Sequence, residues 1–204
     1  GKPDGMPTDV FFKNNKTAIN RVYGGYDPQK NLYFITFNDL GNGVTDTVAF
    51  SEDSKYWVTR LSFIPEAYSG LNNDMYSFKF GELWQHDKDT VNTNTFYGTH
   101  YDASFTMVSN MNNSVEKIYR NVGLASNKRW SVSEISNKDG QLSSLAKSSF
   151  TQRDNVYYAD ILRDENTNAD TLIGAQTPRL HGNVMRSQLM KFVFTTDETG
   201  KIYI

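Results

Sequence analysis

Apolar and polar residues alternate along most of this chain in short runs, with turn residues between them. A period of two places successive side chains on opposite faces of a strand, so each run reads as a β-strand. AINRVYGGY, the Asp27-Pro28 turn and NLYFITF make the first pair. In the second run Leu32, Phe34 and Thr36 oppose Tyr33, Ile35 and Phe37, which predicts cover on both faces. VTDTVAF and KYWVTRLSF follow, joined by Ser51-Glu52-Asp53-Ser54, whose short polar side chains suit a tight connection. MYSFKF and ELWQHD then flank Gly81. Met75, Ser77 and Lys79 alternate there with Tyr76, Phe78 and Phe80, a half-buried strand whose apolar face is the aromatic one. THYDASFTMVSN, VEKIYRNVGL, KRWSVSEIS and VYYADILRD continue the series at intervals of about ten residues. LSSLAKSSF suits either a helical turn or a strand, and VMRSQLMKFVFT with KIYI predicts a closing hairpin around Asp197 to Gly200, with Gly200 at a positive φ.

The pattern predicts an all-β fold, an antiparallel β-sandwich or a propeller-like sheet assembly with little helix. No internal repeat defines blades. Residues 1–16, with Pro3, Gly5, Pro7 and KNNK, read as a lead-in, and 17–204 as a single β-rich domain.

Composition supports strands: 14% of the residues are aromatic, including twelve Tyr and thirteen Phe, types that suit a pleated, half-buried surface. The chain has 204 residues and no cysteine, so no disulfide or thiolate metal site exists and the core has to form without staples. The formal net charge is −2 and the basic residues are scattered among acids, which argues against nucleic acid as a partner. No apolar run approaches the roughly 20 residues that a membrane-spanning helix needs. The first residue is Gly, and no basic or apolar leader follows it, so the sequence reads as a piece of a longer protein.

Candidate chemistry is sparse. His86, His100 and His181 lie far apart and show no paired metal spacing, although Trp84, Gln85 and Asp87 make His86 the one to watch. Asp164, Asn166, Asn168 and Asp170 imitate a calcium loop. The imitation fails at Ala169 and Ala175, where such a loop needs Gly and a bidentate Glu, and Asp87, Asp89, Asn92 and Asn94 are discounted in the same way. Glu52, Glu66, Glu82 and Asp102 supply acids for glycoside hydrolysis but carry no local signature. No nucleophile elbow, phosphate loop or dinucleotide fingerprint is present. Trp57, Trp84, Trp130, Tyr68, Tyr97 and Tyr101 can stack on sugars or pack in a core. The loop positions Tyr68 and Tyr97 are the ones expected to reach a partner. No catalytic, cofactor-binding or metal residue is assigned.

The succession YGGYDPQKNLYFITF, VAFSEDSKYWVTRLSFIPE, MYSFKFGELWQHD and FYG resembles the carboxy-terminal region of large tail or muzzle (nozzle-type) virion proteins of crAss-like and related Bacteroidetes phages. The residues that carry it are Tyr26, Asp27 and Pro28; Trp57, Phe63, Pro65 and Glu66; Gly81, Leu83, Trp84 and His86; and Phe96, Tyr97 and Gly98. The chain departs from the pattern at Val58 to Leu61, where a second aromatic is more usual, and at Asp87, where Asn is common. The resemblance implies a non-enzymatic structural subunit of a phage or prophage virion tail, without cofactors. Its partners would be other virion proteins or copies of itself in a ring-like assembly, with the piece alone a monomer or weak oligomer, and host contact is compatible with this role. The rival readings are a carbohydrate-binding β-sandwich that takes surface glycans and, behind it, a glycoside hydrolase.

Overall fold

The computed structural model describes residues 21–38, 45–88, 90–112, 114–168, 172–174 and 176–204. The lead-in over 1–16 and positions Asp89, Ala169, Asp170 and Ala175 lie outside these. The described chain is almost entirely antiparallel β, as the alternation predicts. Among the described residues helix is limited to a 3-10 turn at Lys147–Ser149 and one short α1 at Pro178–His181. The sheets are sandwich-like and none closes into a barrel. The sequence reading treats 17–204 as one domain; the chain divides into two compact units, Gly1–Tyr101 and Asp102–Ile204.

In the first unit, β1 (Arg21–Asp27), β2 (Leu32–Asn38), β3 (Thr45–Ser51) and β4 (Tyr56–Leu61) form a meander in sequence order. The Asp27 carboxylate shapes the first turn by accepting the Gln29 N–H at 2.9 Å, and Ser51 Oγ does the same for the Ser54 N–H at 3.2 Å. A second sheet of β5 (Ala67–Leu71), β6 (Asp74–Lys79) and β7 (Glu82–Gln85) supplies Met75 and Tyr68 to the cluster of Phe34, Ala49 and Phe63. The Leu32, Phe34 and Thr36 face of β2 turns to this core. Its other face is covered only in part, for Phe37 is buried while Tyr33 is 43% exposed. The hairpin β8 (Thr95–Phe96) and β9 (Thr99–His100) also belongs to this unit.

β6 reverses the expected orientation. Met75 and Ser77 are buried, whereas Phe78 is 40% and Phe80 75% exposed. Alternation defines two sets of side chains without saying which faces inward. Here the decision falls to the polar partners that await Ser77, described below.

The second unit packs the sheet β10 (Ala103–Ser109), β18 (Met190–Thr196), β13 (Ser131–Ser136) and β14 (Leu142–Leu145), in that spatial order, with β12 (Asn121–Ala125), β16 (Val156–Asp160) and β15 (Thr151–Arg153). Val132, Ile135, Phe192 and Phe194 of the first sheet meet Val122, Leu124, Tyr157 and Ala159 of the second, with Trp130 and Met185 also in this core. Burial of such rings and branched chains stabilises by about 1.5–3 kcal/mol each. β11 (Lys117–Ile118) and β17 (Arg186–Ser187) add a two-stranded ribbon. LSSLAKSSF resolves into β14 followed by the 3-10 turn, so both of its readings hold in succession.

The closing hairpin is not found. β18 pairs with β10 along one edge and β13 along the other, so no edge remains for Lys201–Ile204. That tail is instead held by Asn127, whose amide donates to the Lys201 carbonyl at 2.9 Å and whose Oδ1 accepts the Tyr203 N–H at 2.8 Å. Gly200 has no positive φ, in keeping with the absence of a tight hairpin turn.

Candidate functional site

The densest gathering of chemistry-bearing side chains lies inside the first unit. The β8–β9 loop is Tyr97-Gly98, with φ of 52° and 78°. Two residues of positive φ are what a two-residue hairpin of type I′ requires, which accounts for Gly98. That turn aims the Tyr97 hydroxyl at Ser77 Oγ, 2.8 Å away. On the other side of Ser77, His86 Nε2 lies 2.6 Å from the same oxygen, and the His86 N–H donates to the Met75 carbonyl at 2.9 Å. Rings close round the imidazole: Phe63 stands 4.9 Å from it and Tyr97 6.4 Å, while Phe96 packs on Phe63 at 4.7 Å and Trp84 on Tyr97 at 5.5 Å. Burial drives the His86 pKa down to about 4 and the Tyr97 pKa up to about 12, so both are neutral at physiological pH.

A parallel network joins the two sheets. Thr36 Oγ1 lies 2.7 Å from Thr47 Oγ1 and 2.6 Å from the Tyr68 hydroxyl, and Thr47 donates to the Phe63 carbonyl at 2.6 Å. Burial raises the Tyr68 pKa well above the usual phenol range. Tyr68 and Tyr97, expected to reach a partner from loops, are half-buried, with their hydroxyls turned to partners between the sheets. Each hydroxyl finds a donor or acceptor inside, and the rings fill the space between sheets.

The Ser77–His86 distance is that of a nucleophile and its base. The pair lies in a packed setting. Ser77 has no exposed surface, the imidazole is flanked by Phe63 and Tyr97, and no described carboxylate orients its other nitrogen. The arrangement acts as a satisfied polar core, in which each hydroxyl fixes the rotamer of the next.

Of the residues that carry the resemblance, the fold brings Phe63, Trp84, His86, Phe96 and Tyr97 together, with Pro65 fully buried nearby in sequence. Glu66 accepts the Phe80 N–H at 3.2 Å, Gly81 lies with Phe80 in the β6–β7 turn at a φ of 76°, and Leu83 faces out at 54% exposure. Tyr26, Asp27, Pro28 and Trp57 stand apart, on the meander. The Tyr26 hydroxyl shares its one proton between Glu52 at 3.2 Å and Asn31 at 3.1 Å. Buried Asp27 is held above the ordinary carboxylate range by desolvation and by the neighbouring Asp87, which also pairs with Lys30. Asp87 adopts a φ of 58°, a conformation that Asp and Asn tolerate alike.

The remaining candidates disperse. His100 borders Thr95, His181 ends α1, and no described group of His, Asp or Glu is arranged to hold a metal. Asp164 is an internal anchor: its carboxylate accepts the N–H groups of Leu142 and Asn166 at 2.9 and 3.0 Å. Among the acids proposed for hydrolysis, Glu52 and Glu66 are engaged as above, and Glu82 sits opposite Lys79 across the β6–β7 pair. Sequence reasoning missed Thr36, Thr47 and Ser77, because isolated hydroxyls in strands carry no local signature. It also missed an open apolar groove of about 580 Å3 lined by Gly24, Tyr26, Tyr33, Ile35, Phe50 and Trp57.

Residues 91–164 match the family model of the crassvirus muzzle protein C-terminal domain. The match bears out the resemblance to muzzle-type virion proteins over that segment and points to a structural role in a phage virion. Phe96, Tyr97 and Gly98 fall inside it, while the quoted residues from Tyr26 to His86 precede it. No curated protein matches the chain.

Proposed function

We propose that this chain is a non-enzymatic structural subunit of a phage tail that works through contacts with other virion proteins or with copies of itself. The observation that carries the reading is the muzzle-domain match over residues 91–164. The interior agrees with it: the serine, histidine and tyrosines that would interest a chemist are spent on fixing sheet against sheet. A subunit that must hold its shape under assembly benefits from such internal fixing and needs no cofactor. An antibody against the chain, applied to purified particles of a phage that encodes it, is expected to decorate the tail in electron micrographs. Label on the capsid alone, or absence of the polypeptide from purified particles, overturns the proposal.

One observation favours glycan recognition as a second role. The groove on the meander is lined by Tyr26, Tyr33 and Trp57, and the Tyr26 hydroxyl bonds the polar side chains of Asn31 and Glu52. A mostly apolar surface with a few placed polar groups suits the two sides of a pyranose. Binding on a glycan array that is lost in Trp57→Ala supports this role, and an array without signal removes it.

A further inference from the structure

The edges of the large sheet in the second unit are treated unequally. At β14 the edge is closed: Leu142 N–H is taken by Asp164, the Leu142 carbonyl receives the Glu165 N–H at 2.7 Å, and the Ser144 carbonyl receives Arg179 at 3.0 Å. In the smaller sheet the outer strands are short, and β15 carries Arg153. β10 differs on every count. It runs seven residues, ASFTMVS, contains no charge and no proline, and pairs with β18 without a register shift. Its other edge has no strand among the described residues. Met107 and Val108 are 43% and 53% exposed. Natural sheets guard such edges with lysine, proline or a bulge, because bare backbone N–H and C=O groups invite another strand.

We infer that β10 is a strand-addition edge and that its occupant is β10 of a second copy of this chain, antiparallel about a two-fold axis through Thr106. The sequence is complementary to itself in that register. Thr106 meets Thr106, Phe105 meets Met107, Ser104 meets Val108 and Ala103 meets Ser109. Each pair shares a face, since a two-fold antiparallel pairing about Thr106 keeps the alternation in step. At the axis hydroxyl lies opposite hydroxyl, beside it an aromatic lies opposite a thioether, the outer pairs combine small or branched side chains with serine, and no like charges face each other. The new backbone hydrogen bonds would join the two four-stranded sheets into one, the mode of recognition known as β-augmentation. Isologous contact of this kind closes on a dimer and leaves no propagating edge at β10. The inference stands on the strand itself and does not require the tail assignment.

Sedimentation equilibrium of the 204-residue chain tests it, with Thr106→Lys and Thr106→Glu as probes, since Thr106 is exposed and neither change disturbs the core. The wild-type chain is expected to show a concentration-dependent monomer–dimer equilibrium. Each variant brings like charges face to face at the axis and is expected to raise the dissociation constant about tenfold or more. An equimolar mixture of the two restores the dimer, because Lys then faces Glu, and circular dichroism confirms that both variants keep the β spectrum. A wild-type chain that stays monomeric into the millimolar range overturns the inference. So does a Thr106→Lys variant that dimerises as the wild type does, or a mixture that fails to recover.

Discussion

His86 shows what burial does to a single titratable group. Its folded pKa, about 4, lies below the 6.5 of an exposed imidazole because desolvation penalises the cation. Between those values the unfolded chain binds more protons than the folded one, so stability is complete above pH 6.5 and declines as pH falls toward 4. The full difference corresponds to at most about 3 kcal/mol, and partial solvent access lowers it. Urea titrations at pH 7.5 and 4.5 should show the loss, and His86→Gln should flatten the part of the slope centred between pH 4 and 6.5. A wild-type slope that survives this replacement unchanged would assign it to other groups. Two adjacent glycines make a second residue-scale test. A Cβ at Gly25 would lie 2.5 Å from the Tyr68 ring, whereas one at Gly24 meets nothing nearer than 3.9 Å. Gly25→Ala is therefore expected to cost about 1–3 kcal/mol, through displacement of Tyr68 and its bond to Thr36. Gly24→Ala should leave the melting temperature nearly unchanged, and equal effects of the two would contradict the close approach.

The reversed face of β6 yields the sharpest prediction among the elements. Ser77→Val enlarges the side chain and removes the hydroxyl that both His86 and Tyr97 contact, so it should cost about 1–3 kcal/mol despite the gain in hydrophobicity. Phe78→Thr, one residue on and 40% exposed, should change stability by about 0.5 kcal/mol or less. Hydrophobicity alone forecasts the opposite order, and chemical denaturation of the two variants decides. This strand also marks where the sequence stops being readable. The strands of the first hairpins and the Ser51 to Ser54 turn were legible, because alternation and turn chemistry act within a few residues. Which face of β6 is inward depends on His86, Tyr97 and Phe63, whose arrival beside Ser77 is a matter of tertiary register. The tail at Lys201–Ile204 was misread for a related reason: its alternation is genuine, but both edges of β18 were already taken. His86 and the FYG turn could be singled out in advance, while their partner Ser77 could not.

At the scale of the molecule, each compact unit carries a core drawn from its own residues. Phe34, Ala49, Phe63 and Met75 belong to the first, and the cluster from Val122 to Phe194 to the second. The second core takes side chains from both of its sheets and is supported by the stacked Phe105–Phe194 pair at 4.7 Å and by Trp130. Its strands include the earliest and the latest of the unit, since β10 pairs with β18, so the chain closes on itself before leaving the core. A segment whose first and last strands are hydrogen-bonded neighbours, and which gathers a buried cluster of its own, meets the conditions for independent folding. Residues 102–204 expressed alone are therefore expected to unfold in one cooperative thermal transition, with methyl resonances dispersed by the Trp130, Phe192 and Phe194 rings. Truncation after Ser187 removes β18, the central strand shared by β10 and β13, and should abolish that transition. If residues 102–204 lack a cooperative transition while the whole chain has one, the second core depends on the first unit, and the division into self-sufficient halves is wrong.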